Sequence, residues 1–272
     1  MAAQSTGFAP WLARWGLTPD GEPFETAYTG SRLLPVRQGG APAMLKIATA
    51  REERRGAVLM RWWAGEGAAR VLAQEGEALL LERLEGPGSL AAMARSGQDD
   101  AASRILCDVA ARLHAPRPGP APADLAPLAT WLRALAPAAA AHGGVLTRSL
   151  QAADGLLADP REVCVLHGDL HHGNVLDGGP RGWLAIDPKG VMGERGYDYA
   201  NILCNPDAET ATTPGRLAQQ AAVVAVAARL EPQRLLTWLL VHAGVSAAWS
   251  LRDGWDPAAA LKIAEMAAAE LS

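Results

Sequence analysis

The spacing of apolar residues changes from strand-like to helical near residue 85, and that change limits the folds open to this chain. Before it the chain reads as short strands with one helix. AYTGSRLLPVRQ and AMLKIA, around Gly39-Gly40, have the form of a hairpin. Residues 50–65 open on charges (REERR) and continue with Val58, Leu59, Trp62 and Trp63 at helical spacing. ARVLAQ and EALLLERL, split by Glu75-Gly76-Glu77, read as a second hairpin. GPGS at 86–89 is a breaker. Beyond it the pattern is helical. Asp99 and Asp100 open a run with Ile105, Leu106, Val109 and Leu113 on one face. PRPGPAP at 116–122 is a loop, and helices fill 124–158 and 215 to the end. Only 163–190 returns to short strands and loops. The expected fold is α+β and bilobal: a small β-rich lobe over 1–85 and a large, mostly helical lobe over 86–272.

Composition removes several classes. The 272 residues are 49% hydrophobic and 20% charged, which suits a globular core. The net charge of −4 offers no basic footprint for nucleic acid. Residues 160–272 carry 13 acids against 9 bases, a hint of a cationic ligand there or simply a solvated surface. Cys107, Cys164 and Cys204 sit in apolar runs without a CxxC, as reduced core residues do in a cytoplasmic protein. The first residues lack the charged and apolar regions of a secretion signal. Thr237 to Leu251 contains His242 and reads as a buried helix, not a membrane span.

The densest chemistry lies in VCVLHGDLHHGNVL, 163–176, where His167, Asp169 and Asn174 stand between apolar flanks. GWLAIDPKG follows, with Asp187 ending an apolar run. Phosphoryl transfer needs a carboxylate to orient the attacking hydroxyl, and an amide with a second carboxylate to hold Mg²⁺ against the phosphates. The Asp-x4-Asn spacing and the later Asp have that order. His167 is expected to hold the loop rather than to react. His171 and His172 allow a zinc-hydrolase reading, which leaves Asn174, Asp187 and Lys46 without a use.

Lys46 ends an apolar strand in a chain with three lysines and 22 arginines, and suits the α- and β-phosphates of a nucleotide. Glu52 and Glu53 are candidates to pair with it. Glu53 is preferred, because it shares a helical face with Gly56, Ala57 and Met60. The phosphate loop is thin: TGSR, 29–32, offers Gly30 for close approach and Ser31 as a donor, and reads equally as an ordinary turn.

LPVRQGGAPAMLKIA, SGQDDAASRILCDVAARLHAP, LHGDLHHGNVL, GWLAIDPKGVMGERGYDYANI and SAAW at 246–249 resemble the aminoglycoside/hydroxyurea phosphotransferase family, most closely its streptomycin 6-phosphotransferases. The resemblance spans nearly the whole chain. It implies a protein-kinase-like fold, ATP and Mg²⁺ as cofactors, and a streptidine hydroxyl of streptomycin as acceptor. It implies Asp169 as base, Asn174 and Asp187 as metal ligands, Lys46 as the phosphate lysine, and the backbone from Glu82 to Leu84 as the adenine contact. Gly173 departs from related sequences, which tend to carry an acidic residue there. A guanidinium-bearing acceptor calls for carboxylates and flat aromatic faces, for which Glu194, Asp198, Asp207, Asp253, Trp249 and Trp255 are candidates. The remaining expectations are a monomer in the cytoplasm, with no nucleic-acid or membrane partner. Rival readings are a kinase of hydroxyurea or another small hydroxylated metabolite, a non-catalytic nucleotide-binding module, and a zinc hydrolase.

Overall fold

The computed structural model describes residues 7–26, 30–48 and 50–272. Thr29 of the TGSR segment, Ala27-Tyr28 and the first six residues lie outside the described residues.

The chain opens with α1 (Ala9–Trp15), a second helix where the sequence suggested one in this third. Seven residues are too few for a helical period to stand out, but the end signals are present. Pro10 lies in the first turn, and Gly16, at φ +60°, caps the helix through its N–H to the Leu12 carbonyl. Six strands follow: β1 (Leu17–Pro19), β2 (Phe24–Glu25), β3 (Arg32–Gln38), β4 (Ala41–Ile47), β5 (Val71–Glu75) and β6 (Ala78–Glu82). They form one antiparallel sheet in the order β1-β3-β4-β6-β5, with β2 also on β3. Both expected hairpins are present. Gly39 and Gly40 take positive φ between β3 and β4, so Gln38 pairs Ala41. Gly76 does the same between β5 and β6.

Leu34, Val36, Ala43, Leu45, Ile47, Ala78 and Leu80 make a small core with Phe8 and Leu17. Because side chains alternate along β4, burying Leu45 and Ile47 in that core sends Lys46 to the other face, toward the rest of the molecule. Between β4 and β5, α2 (Arg51–Trp63) packs Ala57, Leu59, Met60 and Trp63 into the main core. Val58, expected on the apolar face, is 41% exposed. Its neighbours at i+1 and i+2, not Val58 itself, lie over the core.

After the breaker come α3 (Leu90–Arg95), capped by Ser89, and α4 (Asp99–His114), with Asp99 and Asp100 in its first turn. The chain continues through β7 (Ala126–Pro127), α5 (Leu128–Trp131), a 3₁₀ turn, α6 (Leu135–His142) and α7 (Val145–Ala158). Then come β8 (Val163–Leu166), β9 (Val175–Asp177), β10 (Trp183–Ala185) and β11 (Val191–Glu194). β9 and β10 form a hairpin, and β11 lies between β7 and β8. The loop 167–174, from β8 to β9, and the turn 186–190, from β10 to β11, are thereby brought together. The chain ends with α8 (Gly196–Leu203), α9 (Ala208–Ala211), α10 (Arg216–Ala228), α11 (Pro232–Asp253) and α12 (Ala258–Glu270). α11 carries the expected buried helix through Leu239, Val241, Ala243 and Val245. Among the described residues no helix is long and apolar enough to cross a membrane. The three cysteines are free, Cys107 buried and the others half-buried.

The sheet joins the helical part at a few defined points. The N–H groups of Gly86 and Gly88 donate to Asp177, at its carbonyl (2.9 Å) and its carboxylate (3.0 Å). Ala69 donates to the Ala185 carbonyl, 2.9 Å away. Arg181 reaches across to the Glu82 carboxylate and, at 2.6 Å, to the Gly65 carbonyl.

Candidate active site

The loop 167–174 and the turn 186–190 are fastened by three bonds. Lys189 N–H donates to the His167 carbonyl at 2.7 Å, Ile186 N–H to the Asn174 carbonyl at 2.9 Å, and His167 Nε2 to the Ile186 carbonyl at 2.8 Å. A carbonyl only accepts, so His167 carries its proton on Nε2, and Nδ1 accepts the Asp169 N–H at 3.2 Å. Burial lowers the His167 pKa and keeps the ring neutral, as this tautomer requires. Trp63 stacks on it with ring centroids 6.2 Å apart.

Asp198, in the first turn of α8, is fully buried beneath this loop. It accepts the N–H groups of His167 and Gly168 and the Nε2 of His114, all at 2.8 Å. Burial pushes its carboxyl up, but the bonds from His114 and the Gly168 N–H outweigh that and hold it low.

Asp169 is brought to the surface of this frame, with its side chain 36% exposed. Asn174 donates through Nδ2 to the Asp169 carbonyl (2.9 Å) and to Oδ2 (3.2 Å), and Asn201 donates to Oδ1 (3.2 Å). Asn205 in turn holds Asn201. Spending its Nδ2 this way leaves the Asn174 amide oxygen without a partner among the described residues. Gly173 closes the loop by donating to His171 Nδ1 at 3.0 Å. A Cβ at 173 would lie 3.0 Å from the His171 ring, which would have to give way by a few tenths of an ångström.

Opposite stands a cluster of charges. Lys46 forms ion pairs with Glu53 and with Asp187 Oδ1. Glu52, the other candidate, is exposed. Lys189 lies 2.7 Å from Asp187 Oδ2 and 3.4 Å from Glu53 Oε1. Burial pushes the Asp187 carboxyl up, but the two ammonium groups prevail and hold it well below the ordinary range. Asp187 itself adopts φ +59°, a left-handed conformation that a non-glycine residue holds only where its surroundings impose it. α2 is packed directly on this turn: a Cβ at Gly56 would collide with the Pro188 carbonyl oxygen.

The structure therefore brings Lys46, Glu53, Asp169, Asn174 and Asp187 to one place. It moves other candidates away. Gly30 has φ +62°, but Ser31 is buried, and its N–H donates to Thr26 Oγ1 at 3.1 Å, which closes a local turn. The Glu82 carboxylate is taken by Arg181 and by the Arg70 N–H, whereas the N–H and C=O of Leu84 have no partner among the described residues. Glu194 is buried in a two-pronged pair with Arg234, with the Trp238 indole and the Arg161 N–H on the same carboxylate. Neither Glu194 nor Asp198 reaches solvent, so a pairing with a ligand guanidinium does not hold for them. Asp207 caps α9 and pairs with Arg95, and Asp253 pairs with Arg252; both stay partly exposed. Trp249 packs edge-on to Trp131, and Trp255 is 48% exposed. Among the described residues no group of three or more His, Cys, Asp and Glu is placed to hold a metal ion, and His172 is buried.

Lys189, Asn201 and His114 had no role in the reading of the sequence. Two of them had signals. Lys189 is one of three lysines and follows Asp187 by two residues. Asn201 lies three residues after Asp198, on the same face of one short helix.

The chain is 54% identical to a streptomycin 3''-kinase of Klebsiella pneumoniae, over 89% of this chain and 92% of the relative. It is 30% identical to a streptomycin 6-kinase of Streptomyces griseus, over 92% and 84%. In fold it superposes on the aminoglycoside phosphotransferase APH(4)-Ia solved with ADP and hygromycin B, with TM-score 0.68, 16% identity, and 95% and 97% of the two chains covered. Residues 14–254 match the kinase family that the sequence motifs suggested, and with the relatives at this identity and coverage they show that the chain belongs to the aminoglycoside/hydroxyurea antibiotic resistance kinases.

Proposed function

We propose that this kinase transfers the γ-phosphate of ATP to a hydroxyl of streptomycin and so inactivates the drug. The observation that carries this reading is the 54% identity to a streptomycin 3''-kinase over almost the full length of both chains. It favours the 3''-hydroxyl over the streptidine 6-hydroxyl that the sequence resemblance implied. The 6-position is the second reading, supported by relatives at 30–36% identity. The added phosphate brings about −1.5 to −2 charges at neutral pH, which spoils a cation's fit to an anionic RNA site.

The residues have distinct work in this reading. Lys46, gripped by Glu53, fixes the α- and β-phosphates. The free amide oxygen of Asn174 and the carboxylate of Asp187 are hard oxygen donors of the kind Mg²⁺ takes, and they would hold it. When bound, Mg²⁺ neutralises phosphate charge. Asp169, fixed by Asn174 and Asn201, orients the acceptor hydroxyl and receives its proton. The backbone at Leu84, between the lobes of residues 1–85 and 86–272, takes the adenine. Asp207, Asp253 and Trp249 remain for the acceptor's guanidinium groups. The protein acts as a monomer in the cytoplasm, where ATP is supplied.

The test incubates the purified protein with Mg²⁺, ATP and either streptomycin or a kanamycin-type drug, then locates any phosphate by mass spectrometry and NMR. Streptomycin is expected to be modified and the kanamycin-type drug to be a poor acceptor. EDTA should abolish the reaction, and Mg²⁺ should restore it. Equal turnover of both drugs would refute the specificity, and absence of product from either would refute the acceptor class.

A further inference from the structure

Lys189 is buried, and its ammonium faces three carboxylates: Asp187 Oδ2 at 2.7 Å, Glu53 Oε1 at 3.4 Å and Asp169 Oδ2 at 4.0 Å. Lys46 sits on the other Asp187 oxygen. Both oxygens of Asp187 thus carry an ammonium ion, and a divalent cation that takes that carboxylate competes with them for its charge. Lys46 is the less free of the two. Its backbone is paired on both sides, to Leu33 and to Leu79, and Glu53 grips its ammonium. Lys189 lies on a turn, and the carboxylate beyond Asp187 and Glu53 is Asp169, where the acceptor hydroxyl is oriented. A phosphoryl group in transit must pass between the donor at Asp187 and the acceptor at Asp169. An ammonium released from Asp187 has its strongest new partner there.

We propose that Lys189 is a catalytic residue that pairs with Asp187 and turns onto the γ-phosphoryl group when nucleotide and metal are bound. This rests on the reading of ATP as donor and Asp187 as metal ligand. In the transfer, the bond from the γ-phosphorus to the β,γ-bridging oxygen breaks, and its electron pair leaves with ADP. The acceptor oxygen forms the new bond to phosphorus, and its proton passes to Asp169. Lys189 keeps its proton and offsets the charge on the equatorial oxygens of the group in flight.

A lysine that merely neutralises buried carboxylates would not discriminate between nucleotides. A lysine on the γ-phosphoryl group does. In calorimetric titrations with Mg²⁺ present, Lys189→Met is expected to bind ADP within about twofold of wild type and AMP-PNP about 10–100-fold more weakly. Without nucleotide, it should bind Mn²⁺ more tightly by electron paramagnetic resonance, because Asp187 is uncovered. Turnover should fall about 10²–10³-fold. If Lys189→Met does not fold, the wild-type protein carries the test, because it has only three lysines to assign. With isotope-labelled lysine, the Lys189 side-chain signal should differ between the ADP and AMP-PNP complexes. Equal weakening of both nucleotides, or an identical Lys189 signal in both complexes, would overturn the proposal. Failure of the wild type to bind either nucleotide would instead overturn the ATP reading beneath it.

Discussion

Two buried histidines should make this fold lose stability in mild acid, well above the range where its carboxylates titrate. His172, in the loop 167–174, has no partner on either ring nitrogen among the described residues, and burial, followed by the charge of Arg216, holds its pKa down to about 3. His242, on α11 against Tyr197 at 5.0 Å, is held down to about 4 by burial. Their ordinary value is 6.5. As pH falls below that value the unfolded chain takes a proton on each ring, and the folded chain does not. Stability is therefore fully present above about pH 7 and is lost as pH falls toward the folded values. At about pH 5 each ring is about 1.5 units below its unfolded pKa, which costs about 2 kcal/mol, or about 4 kcal/mol for the pair. That is a large share of a typical stability of about 5–15 kcal/mol, and corresponds to a Tm lower by roughly 8–16 °C. His167, neutral and fully buried, acts in the same direction. Asp187 and Asp198 have lowered values, so their contributions are lost only below about pH 4, in a separate window. The assay is urea unfolding followed by tryptophan fluorescence in steps from about pH 7.5 to 5. His172→Leu and His242→Leu should each remove about 2 kcal/mol of the loss. Identical pH dependence in wild type and the double variant would refute the reasoning.

Two further predictions follow from the frame around the loop. Asp169→Asn should lower turnover by about 10²–10⁴-fold while nucleotide affinity, measured by calorimetry, stays near wild type; retention of more than about a tenth of the rate would count against its role as base. Asp198→Asn replaces an acceptor of three bonds with a group that cannot accept on both sides, and should cost about 2–4 kcal/mol in urea unfolding at neutral pH; a loss under about 0.5 kcal/mol would contradict the clamp.

Much of this was legible from residue spacing. The two hairpins follow from glycines that sit where positive φ is needed, and Lys46 stands out as one of three lysines, at the end of an apolar strand. Glu53 could be preferred over Glu52 because one helical face is buried and the other is not. The carboxylates expected around a guanidinium were less legible. Sequence reports that Glu194 and Asp198 are acidic and lie close after the turn 186–190. It does not report that Arg234, forty residues later, and His114, eighty-four residues earlier, have already engaged them. Lys189 shows the same limit from the other side. Its neighbour Asp187 is two residues away in sequence, but Glu53 and Asp169 meet it only in three dimensions.

The close approach of α2 to the turn carries a consequence for how the site is assembled. Gly56 lies against the Pro188 carbonyl, so α2 cannot shift toward or past that turn without displacing it. Glu53 is one helical turn earlier on the same face and fixes Lys46, while Asp187 precedes Pro188 and binds the same ammonium. The helix, the sheet lysine and the turn are therefore one mechanical unit. The turn is in turn bonded to His167 and Asn174, which set Asp169. In many kinases the corresponding helix and turn are separate parts, and control acts by parting them. Here side chains are omitted on both sides of the contact, at Gly56 against Pro188 and at Gly190 against Arg55, where they would force the two apart. Holding Glu53, Lys46 and the backbone of the turn in place before substrate arrives leaves less to reorganise during transfer, with the Lys189 side chain as the part that moves.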